Sequence, residues 1–252
     1  MFENRVIFYV DLLGVKDAVM GPDDSARQAL QKLLSQFASA RGPFQFKEEK
    51  LEHGSSFRIS PQITTFSDHI VISYRIGNDS SEKEDRVIVT ALGSATKLIA
   101  WLADEAMKQG FLIRGGATLG PLVHDNDIVL GEAMVEAYDL EPRVAIYPRI
   151  AVSSRLYTRV DSRWSISFFR KDSDGITHFN YFRYMLLREQ DLEVLRRWVR
   201  EVLSKCVENI AKFEAKREWN KLSKWAWFTK VFEREVQDLH LLDGGQPQLR
   251  PF

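Results

Sequence analysis

Residues 6–15 read VIFYVDLLGV, a run of strand-forming residues that ends in an aspartate and is followed by a glycine three positions later. Val, Ile, Phe and Tyr favour β-strands, so we expect a buried strand over residues 5–10 that stops at Asp11. Residues 64–74, TTFSDHIVISY, place a second isolated aspartate, Asp68, between two further strand-like runs. Isolated aspartates at strand ends are suitable ligands for a divalent cation. These strands therefore indicate both a sheet and a candidate site at its edge.

The segments around these strands alternate between strand and helix patterns. Apolar residues recur at helical spacing in two long stretches, residues 25–40 and 84–109. Later strand-like runs cover residues 111–123 and 147–152, with a helix over residues 131–141 between them. Strand, helix, strand, strand, helix, strand is the order of an α+β sandwich of the ferredoxin-like kind, with a mixed, mainly antiparallel sheet and helices on one face. The other face would then be open to a ligand or a partner.

The pattern changes in the C-terminal part of the chain. Two strand-like runs, WSISFF and ITHFNYF, flank RKDSDG, in which Asp174-Gly175 is a strong hairpin signal because Gly accepts positive φ. A Ca²⁺ loop is a weaker alternative, since the spaced oxygen ligands of an EF-hand are absent. Beyond residue 190 the apolar spacing predicts two helices. We therefore expect a main domain over residues 1–185 and a helical extension over residues 186–252 packed on it.

Composition excludes several classes of protein. The 252 residues are 44% hydrophobic, enough for a sizeable core without cross-links. Cys206 is the only cysteine, which excludes an intramolecular disulfide and a Cys-rich zinc site. Lys+Arg and Asp+Glu balance at 35 each, so no global field attracts nucleic acid or anionic lipid. Acidic residues interrupt the N-terminal apolar stretch and no apolar run approaches the roughly 18 to 20 residues of a membrane span, so we expect a cytoplasmic protein without membrane contact.

Asp11 and Asp68 would repel each other if their strands were neighbours. The repulsion is roughly 4 kcal/mol at about 4 Å and an effective dielectric constant of about 20. A divalent cation removes it, and oxygen ligands favour Mg²⁺ or Mn²⁺. The residues LLGV after Asp11 offer successive backbone N–H groups that could hold a triphosphate. A structural alternative fits the spacing equally well: Asp11 caps the following helix and Asp68 occupies a hairpin turn.

Five motifs in order, FYVDLLG, FSDHIVIS, RGGATLG, AYDLE and YPRIAVS, resemble those of class III nucleotide cyclase catalytic domains. Together they are most similar to the bacterial pyrimidine (uridylate or cytidylate) cyclases of the Pycsar antiphage system. The resemblance covers residues 5–155, and KLSKWAWFTKVF at residues 221–232 also looks like that group. It implies a homodimer with composite active sites that converts UTP or CTP to the 3′,5′-cyclic monophosphate and pyrophosphate, as a second messenger in antiphage defence.

The resemblance also implies a role for each matching residue. Asp11, Asp68 and the carbonyl of Leu12 would bind two divalent ions, Mg²⁺ or Mn²⁺. The phosphates would be held by the backbone amides around three residues that follow: Leu13, Gly14 and Val15.

The chain departs from purine cyclases where those enzymes recognise the base. Thr64 stands where they carry a base-reading Lys, and Ile128 stands where they carry a base-reading Asp. A small hydroxyl and an apolar side chain suit a pyrimidine, which we expect to contact Thr64 and Phe66.

A second departure concerns the transition state. The Asn and Arg that usually stabilise it align with Val135 and Asp139. Arg114 is the best substitute by position, because it lies within a strand just before Gly115 and Gly116, whose missing side chains would leave room for a ligand. The alternative is an arginine whose stem covers the sheet and whose head reaches solvent.

Other residues have structural interpretations. His69 is expected to point away from Asp68, to the opposite face, as a packed or capping histidine, because successive strand residues alternate. Arg143 and Arg149 are expected to pair with nearby acids. The basic, Trp-containing stretch 196–230 could contact single-stranded nucleic acid, but its aromatic residues more often pack a helical seam.

Two further functions therefore compete with a cyclase. One is a catalytically silent nucleotide-binding and dimerisation module. The other is a metal-dependent nuclease or nucleotidyltransferase, although contact with nucleic acid is not expected.

Overall fold

The computed structural model describes residues 1–39, 49–50, 56–57, 59–77, 81–125 and 128–241. The chain divides into two compact units, Met1–Asn180 and Tyr181–Phe252. The boundary that we predicted after residue 185 falls within a short helix of the second unit, and residues 242–252 of the predicted extension lie outside the described residues.

The first unit is built around a twisted sheet whose strands are arranged in the order β4-β5-β1-β6-β8-β10-β9, with β7 paired to β6. Strands β1, β4, β5 and β6 pair antiparallel, and β8 pairs parallel to β6. A separate two-stranded ladder joins β2 and β3. The strands are β1 (Glu3–Leu13), β2 (Glu49–Lys50), β3 (Ser56–Phe57), β4 (Gln62–Phe66), β5 (His69–Arg75), β6 (Leu112–Asp125), β7 (Ile128–Leu130), β8 (Ile150–Val152), β9 (Phe169–Lys171) and β10 (Thr177–Phe179).

The helices of the first unit connect these strands. Two of them precede β4, a long one joins β5 to β6, and the others follow β7 and β8. Together with the strand order, they confirm the predicted mainly antiparallel ferredoxin-like sandwich. The helices are α1 (Val15–Met20), α2 (Asp24–Ser39), α3 (Ser81–Lys108), α4 (Glu132–Arg143), α5 (Ser154–Tyr157) and α6 (Ser162–Phe168).

The central strand β1 is buried on both faces, because helices lie on both. Tyr74, the register partner of Val6, contacts Ser94 of α3 through its hydroxyl, at 3.1 Å, so this face packs on α3. Ile7 and its alternate neighbours lie on the other face, in a cluster with Ala133 and Ala137 of α4. The face that we expected to be open is therefore partly covered by α4.

Two glycines of β6 allow this packing. A Cβ at Gly116 would collide with the backbone carbonyl of Ala137, and a Cβ at Gly115 would collide with that of Tyr9. The space that the sequence suggested for a ligand is thus filled by α4 and by β1. The interpretation of these glycines as ligand space was wrong, because the backbone of α4 approaches Gly116 and the backbone of β1 approaches Gly115.

The predicted hairpin at Asp174-Gly175 is present between β9 and β10, and Gly175 has φ 83°. Its turn is held by Arg149, which is 2% exposed. Arg149 Nη2 donates to Asp174 Oδ2 at 2.6 Å and Nη1 to Asp172 Oδ2 at 3.2 Å. Residues 164–168, which the sequence suggested as strand, are instead helical in α6, and Ile166 remains 78% exposed.

Helix α3 is long and apolar. Its segment Glu84–Lys108 is long and apolar enough to cross a membrane, with a mean hydropathy of 1.4 over its most apolar 18 residues, yet 67% of that stretch is buried inside the protein. The core helix of a globular domain has the same properties, so this feature is weak evidence for a membrane span.

The second unit is helical, as predicted for the C-terminal extension. It contains α7 (Phe182–Leu187), α8 (Leu192–Ala215) and α9 (Trp219–Asp238). The predicted apolar seam of α8 is buried and includes Leu195, Val199, Val202 and Cys206. On α9, Trp225 is buried and packs edge-on against Phe228.

Candidate active site

The register of the central sheet places three polar side chains in one row across the face that carries α4. Asp11 near the end of β1 pairs with His69 of β5 on one side and with Arg114 of β6 on the other. Directly paired residues of antiparallel strands project to the same face, so these side chains meet. Asp11 is only 6% exposed. The row is therefore a charged cluster at the edge of an otherwise apolar sheet.

Asp68 lies beside this row, in the turn that joins β4 to β5. Phe66 and His69 are the last paired residues of the two strands, and Ser67 adopts φ 55° between them. The Leu12 N–H donates to the carbonyl of Asp68 at 3.3 Å, which ties the turn to β1. Asp68 thus occupies a hairpin turn, as the structural alternative held, and the turn brings its carboxylate to Asp11.

His69 lies between the two carboxylates, so the expectation that it points away was wrong. Its Nε2 is 3.5 Å from Asp11 Oδ1 and its Nδ1 is 3.2 Å from Asp68 Oδ1. The alternation rule was applied from Asp68, but Asp68 belongs to the turn and not to the ladder. Alternation instead relates His69 to Val71, which pairs with Tyr9 on the same face as Asp11.

Arg114 lies on the other side of Asp11 and pairs with a second acid. Its Nε donates to Asp11 Oδ2 at 3.0 Å, and its Nη2 forms an ion pair with Glu141 of α4. Burial raises the pKa of Glu141 and the negative charge of Asp11 acts in the same direction, while the Arg114 guanidinium opposes both. Within the described residues this cluster holds three carboxylates, of Asp11, Asp68 and Glu141, against one guanidinium.

Glu141 was missed as a site residue by sequence reasoning. It was considered only as one of the nearby acids expected to pair with Arg143 and Arg149; Arg143 instead pairs with Asp139 at 3.4 Å, and Arg149 with Asp172 and Asp174. The available signal was helical spacing: Glu141 follows Ala133 and Ala137 at four-residue steps, on the side of α4 that packs on the sheet.

The expected phosphate cradle lies where β1 passes into α1. Leu12 and Leu13 end the strand, Gly14 is the N-terminal cap, and Val15 begins the helix. Gly14 has φ 107°, a backbone conformation that strongly favours glycine. Because glycine has no side chain, it can adopt this conformation and form the turn. The cap residue of α1 is thus Gly14, and Asp11 does not cap this helix. The first amides of a helix lack partners within it, so they remain donors for a bound group.

Aromatic rings surround the cluster. Phe66 is 44% exposed and stacks on His69 with 5.3 Å between ring centroids and an interplanar angle of 23°. The ring of Tyr9 contacts His69 as well as Tyr138, with centroid distances of 5.1 Å and 5.5 Å. Burial raises the pKa of Tyr9, and the nearby Asp11 adds to the shift. Tyr9 is therefore a protonated phenol at neutral pH.

Thr64, the residue predicted to contact the base, lies on the same face but is only 4% exposed. Its Oγ1 is 3.0 Å from Nε2 of the buried His124, whose Nδ1 is 2.8 Å from Ser73 Oγ. Arg5 Nη1 donates to Ser73 Oγ at 3.1 Å. The Thr64 hydroxyl thus belongs to a buried chain of hydrogen bonds, which sequence reasoning did not anticipate.

The remaining positions of interest are exposed. Ile128 is 63% exposed on β7 and Val135 is 62% exposed on α4. Val135 and Asp139 lie on the side of α4 opposite to Ala137 and Glu141, because residues two apart on a helix point in nearly opposite directions. They line a surface groove of about 630 Å³ together with charged residues of α4 and α5: Glu132, Glu136, Arg143 and Arg155.

Asp11, Asp68 and His69 form a set in which one ligand atom of each lies within 4.8 Å of the others. Two carboxylates and an imidazole are a donor set that divalent cations accept. His69 Nδ1 is buried and makes no hydrogen bond, although Asp68 is close. The surplus negative charge and this nitrogen both fit a bound cation.

No family model matches the chain, and no curated protein matches it. Several solved structures, in contrast, are similar to it. The chain is similar to the guanylyl cyclase Cya2, at 12% identity over 71% of this chain and 91% of that one, with a TM-score of 0.41.

Two further solved structures are similar at the same level. One is an adenylate/guanylate cyclase/hydrolase from Silicibacter pomeroyi, at 17% identity over 71% and 95% of the two chains, with a TM-score of 0.35. The other is the catalytic core of a rhodopsin-guanylyl cyclase with converted specificity in complex with ATPαS, at 13% identity over 71% and 94%, with a TM-score of 0.43. Each of these three structures is named as a nucleotide cyclase.

Proposed function

We propose that the protein is a pyrimidine nucleotide cyclase, which converts UTP or CTP to the 3′,5′-cyclic monophosphate and pyrophosphate. The observation that supports this most directly is the convergence of Asp11 and Asp68 at one edge of the sheet, beside the strand-to-helix turn at Gly14. A cyclase needs a cation site next to a triphosphate cradle, and these residues supply both. The antiphage signalling role suggested by the sequence motifs is part of the proposal.

Asp11 and Asp68 would hold the cations, with the Leu12 carbonyl as a further oxygen. When bound, divalent cations lower the pKa of the ribose 3′-hydroxyl and neutralise the triphosphate. The amides of Leu13, Gly14 and Val15 would orient the phosphates for in-line displacement of pyrophosphate. No covalent intermediate is required.

Arg114 is the proposed stabiliser of the negative charge that develops on the phosphates. Its guanidinium is held at Asp11 by a hydrogen bond and at Glu141 by an ion pair, so it is oriented next to the cation site before substrate binds. A planar guanidinium with several donors suits phosphate oxygens better than an ammonium would.

The base would lie against Phe66, whose exposed ring is already fixed by stacking on His69. Aromatic faces bind any base, so selectivity must come from polar groups nearby. The predicted polar group on this face is Thr64, whose buried hydroxyl would have to exchange its contact with His124 for the base and is too small to replace the Lys of purine cyclases. This supports a pyrimidine over a purine.

Assembly into a homodimer is part of the same proposal. The outward side of α4 exposes Val135 and Tyr138, which are 62% and 49% exposed, and Ile146 after the helix is 58% exposed. An isologous contact through such a surface would bring residues of a second copy towards each site.

A silent nucleotide-binding module is the second candidate, and one observation favours it. Val135 and Asp139, at the positions of the usual transition-state residues, are an apolar side chain and an acid, and neither can donate a hydrogen bond to phosphate oxygens as an Asn and an Arg do. A module of this kind would bind nucleotide and dimerise without turnover.

The test is direct. Purified protein is incubated with each of the four ribonucleoside triphosphates and Mn²⁺ or Mg²⁺, and products are identified by chromatography and mass spectrometry. A cyclic uridylate or cytidylate that is lost in Asp68→Asn supports the proposal. Binding without product favours the silent module, cleavage of an added polynucleotide favours a nuclease, and a preference for ATP or GTP overturns the pyrimidine assignment.

A further inference from the structure

The imidazole of His69 has no role in the mechanism above, yet it occupies the centre of the cluster. One nitrogen faces each carboxylate, at 3.5 Å from Asp11 and 3.2 Å from Asp68. Nδ1 is shielded from solvent and, although it lies near the Asp68 carboxylate, makes no hydrogen bond with it. The imidazole thus lies between two carboxylates with a nitrogen whose geometry does not suit a hydrogen bond, an arrangement that a shared cation would explain.

The ring is also held in place. Its register partner is Asp11, Phe66 stacks on it, and Tyr9 contacts it at 5.1 Å between centroids. A ring fixed by the ladder and by two aromatic neighbours is a preorganised ligand, because little conformational freedom is lost when it binds.

We infer that His69 is a third side-chain ligand of the cation site, and that the site selects a divalent transition metal such as Mn²⁺ over Mg²⁺. Mg²⁺ is a hard cation that keeps water and binds oxygen ligands, whereas transition metals accept imidazole nitrogen readily. Two aspartates alone would not discriminate between the ions in this way. The inference rests on the proposed function only in that Asp11 and Asp68 hold a cation; it requires no nucleotide and no turnover.

The test measures metal binding and coordination in the full-length protein without nucleotide. Pulsed electron paramagnetic resonance of the Mn²⁺-loaded protein detects a directly bound ¹⁴N nucleus, and calorimetry gives the affinities for Mn²⁺ and Mg²⁺. His69→Phe keeps the ring that stacks on Phe66 but removes both nitrogens. His240→Asn, in the second unit, is the matched control that removes a histidine elsewhere.

We expect a nitrogen signal in the wild-type protein and in His240→Asn, and none in His69→Phe. The affinity of His69→Phe for Mn²⁺ should fall by at least roughly tenfold, because groups that only support a metal ligand already contribute about ten- to a hundredfold, while its affinity for Mg²⁺ changes little. His69→Gln is the second variant if His69→Phe does not fold, and it should also lose the signal.

Absence of the nitrogen signal from the wild-type protein, or its persistence in both variants, overturns the inference. An equal loss of Mn²⁺ and Mg²⁺ affinity would assign His69 a positioning role only and would also overturn it. A protein that binds Mn²⁺ through His69 but forms no cyclic nucleotide supports this inference and removes the proposed function, so the two can fail separately.

Discussion

Two arginines of the first unit each lie between two acids, and the difference between them separates structure from function. Arg149 is 2% exposed and bonds Asp172, Asp174 and the backbone carbonyl of Val144. Its two acid partners belong to one hairpin, so this arginine acts as a local lock on that turn.

The other arginine, Arg114, is embedded in a cluster that does not close. It pairs with Asp11 and Glu141, yet Asp68 and the unbonded nitrogen of His69 lie alongside. Its two partners come from two different elements, β1 and α4. A cluster that combines surplus negative charge with an imidazole between two carboxylates is suited to bind a cation, whereas the Arg149 lock, with its two acids and one guanidinium, is suited to hold a turn.

The largest expected effect is on catalytic turnover, which should depend on the acids beside Arg114 and not on those of the Arg149 lock. Asp11→Ala or Asp68→Ala should lower cyclase turnover at least about a hundredfold, because each removes a ligand of a cation worth several kcal/mol to the transition state. Asp174→Ala is the matched control, since it removes an acid from the Arg149 lock. Steady-state kinetics with UTP and CTP check this, and retention of more than about a tenth of the activity in Asp11→Ala would contradict the assignment.

The second prediction concerns stability. Arg149→Met leaves Asp172 and Asp174 without their partner, and breaking a buried ion pair from one side costs about 3 kcal/mol or somewhat less where one acid is exposed. Chemical denaturation of the two proteins measures the difference in the free energy of unfolding. Arg114→Met should destabilise the fold at least as much, because it leaves the buried carboxylates of Asp11 and Glu141 without their guanidinium. A clearly smaller loss would show that the Arg114 cluster, unlike the Arg149 lock, does not depend on its ion pairs for stability.

The third prediction concerns pH. The hydrogen-bonded Arg149 guanidinium holds the pKa of Asp174 below its ordinary value of 3.8. A lowered folded-state pKa gives stability that is present above the unfolded pKa and is lost as pH falls through the folded one. Unfolding free energies measured from about pH 5 down to pH 2 should therefore decline in the wild type and decline less steeply in Arg149→Met. Parallel curves would refute the contribution of this pair.

A smaller effect is expected at Glu141. Glu141→Gln leaves Arg114 with Asp11 as its charged partner, so the guanidinium should compete more strongly with a cation. We expect Mn²⁺ affinity to fall by about fivefold, the equivalent of roughly 1 kcal/mol for a partly exposed charge pair. Calorimetry measures it, and tighter Mn²⁺ binding would show that Glu141 does not act through Arg114.

The smallest effect concerns the base. Thr64→Val removes one hydroxyl from the chain through His124, worth about 1 kcal/mol, and should lower pyrimidine turnover more than cation affinity. Ser73→Ala breaks the same chain at the other side of His124 and is the matched control. If both variants change the ratio of UTP to ATP turnover equally, the hydrogen-bond chain supports the fold and Thr64 does not contact the base.

The sequence by itself determined the local patterns. Periodicity and turn chemistry act over a few residues, so they could be read directly from the sequence. They predicted the strand-forming run before Asp11, the strands around Asp68, the hairpin at Asp174-Gly175 and the apolar seam of α8. The order of these elements was enough to predict a ferredoxin-like sheet and to place two aspartates at strand ends.

Only the tertiary structure decided which side chains contact the residues that the sequence had singled out. Strand register brings His69 and Arg114 to Asp11, α4 brings Glu141 to Arg114, and His124 takes up the hydroxyl of Thr64. Each of these contacts joins residues whose separation in sequence carries no local signal. A one-residue shift in register or a different helix rotation would break them without changing any local pattern, because long-range pairing is fixed by packing of the whole domain.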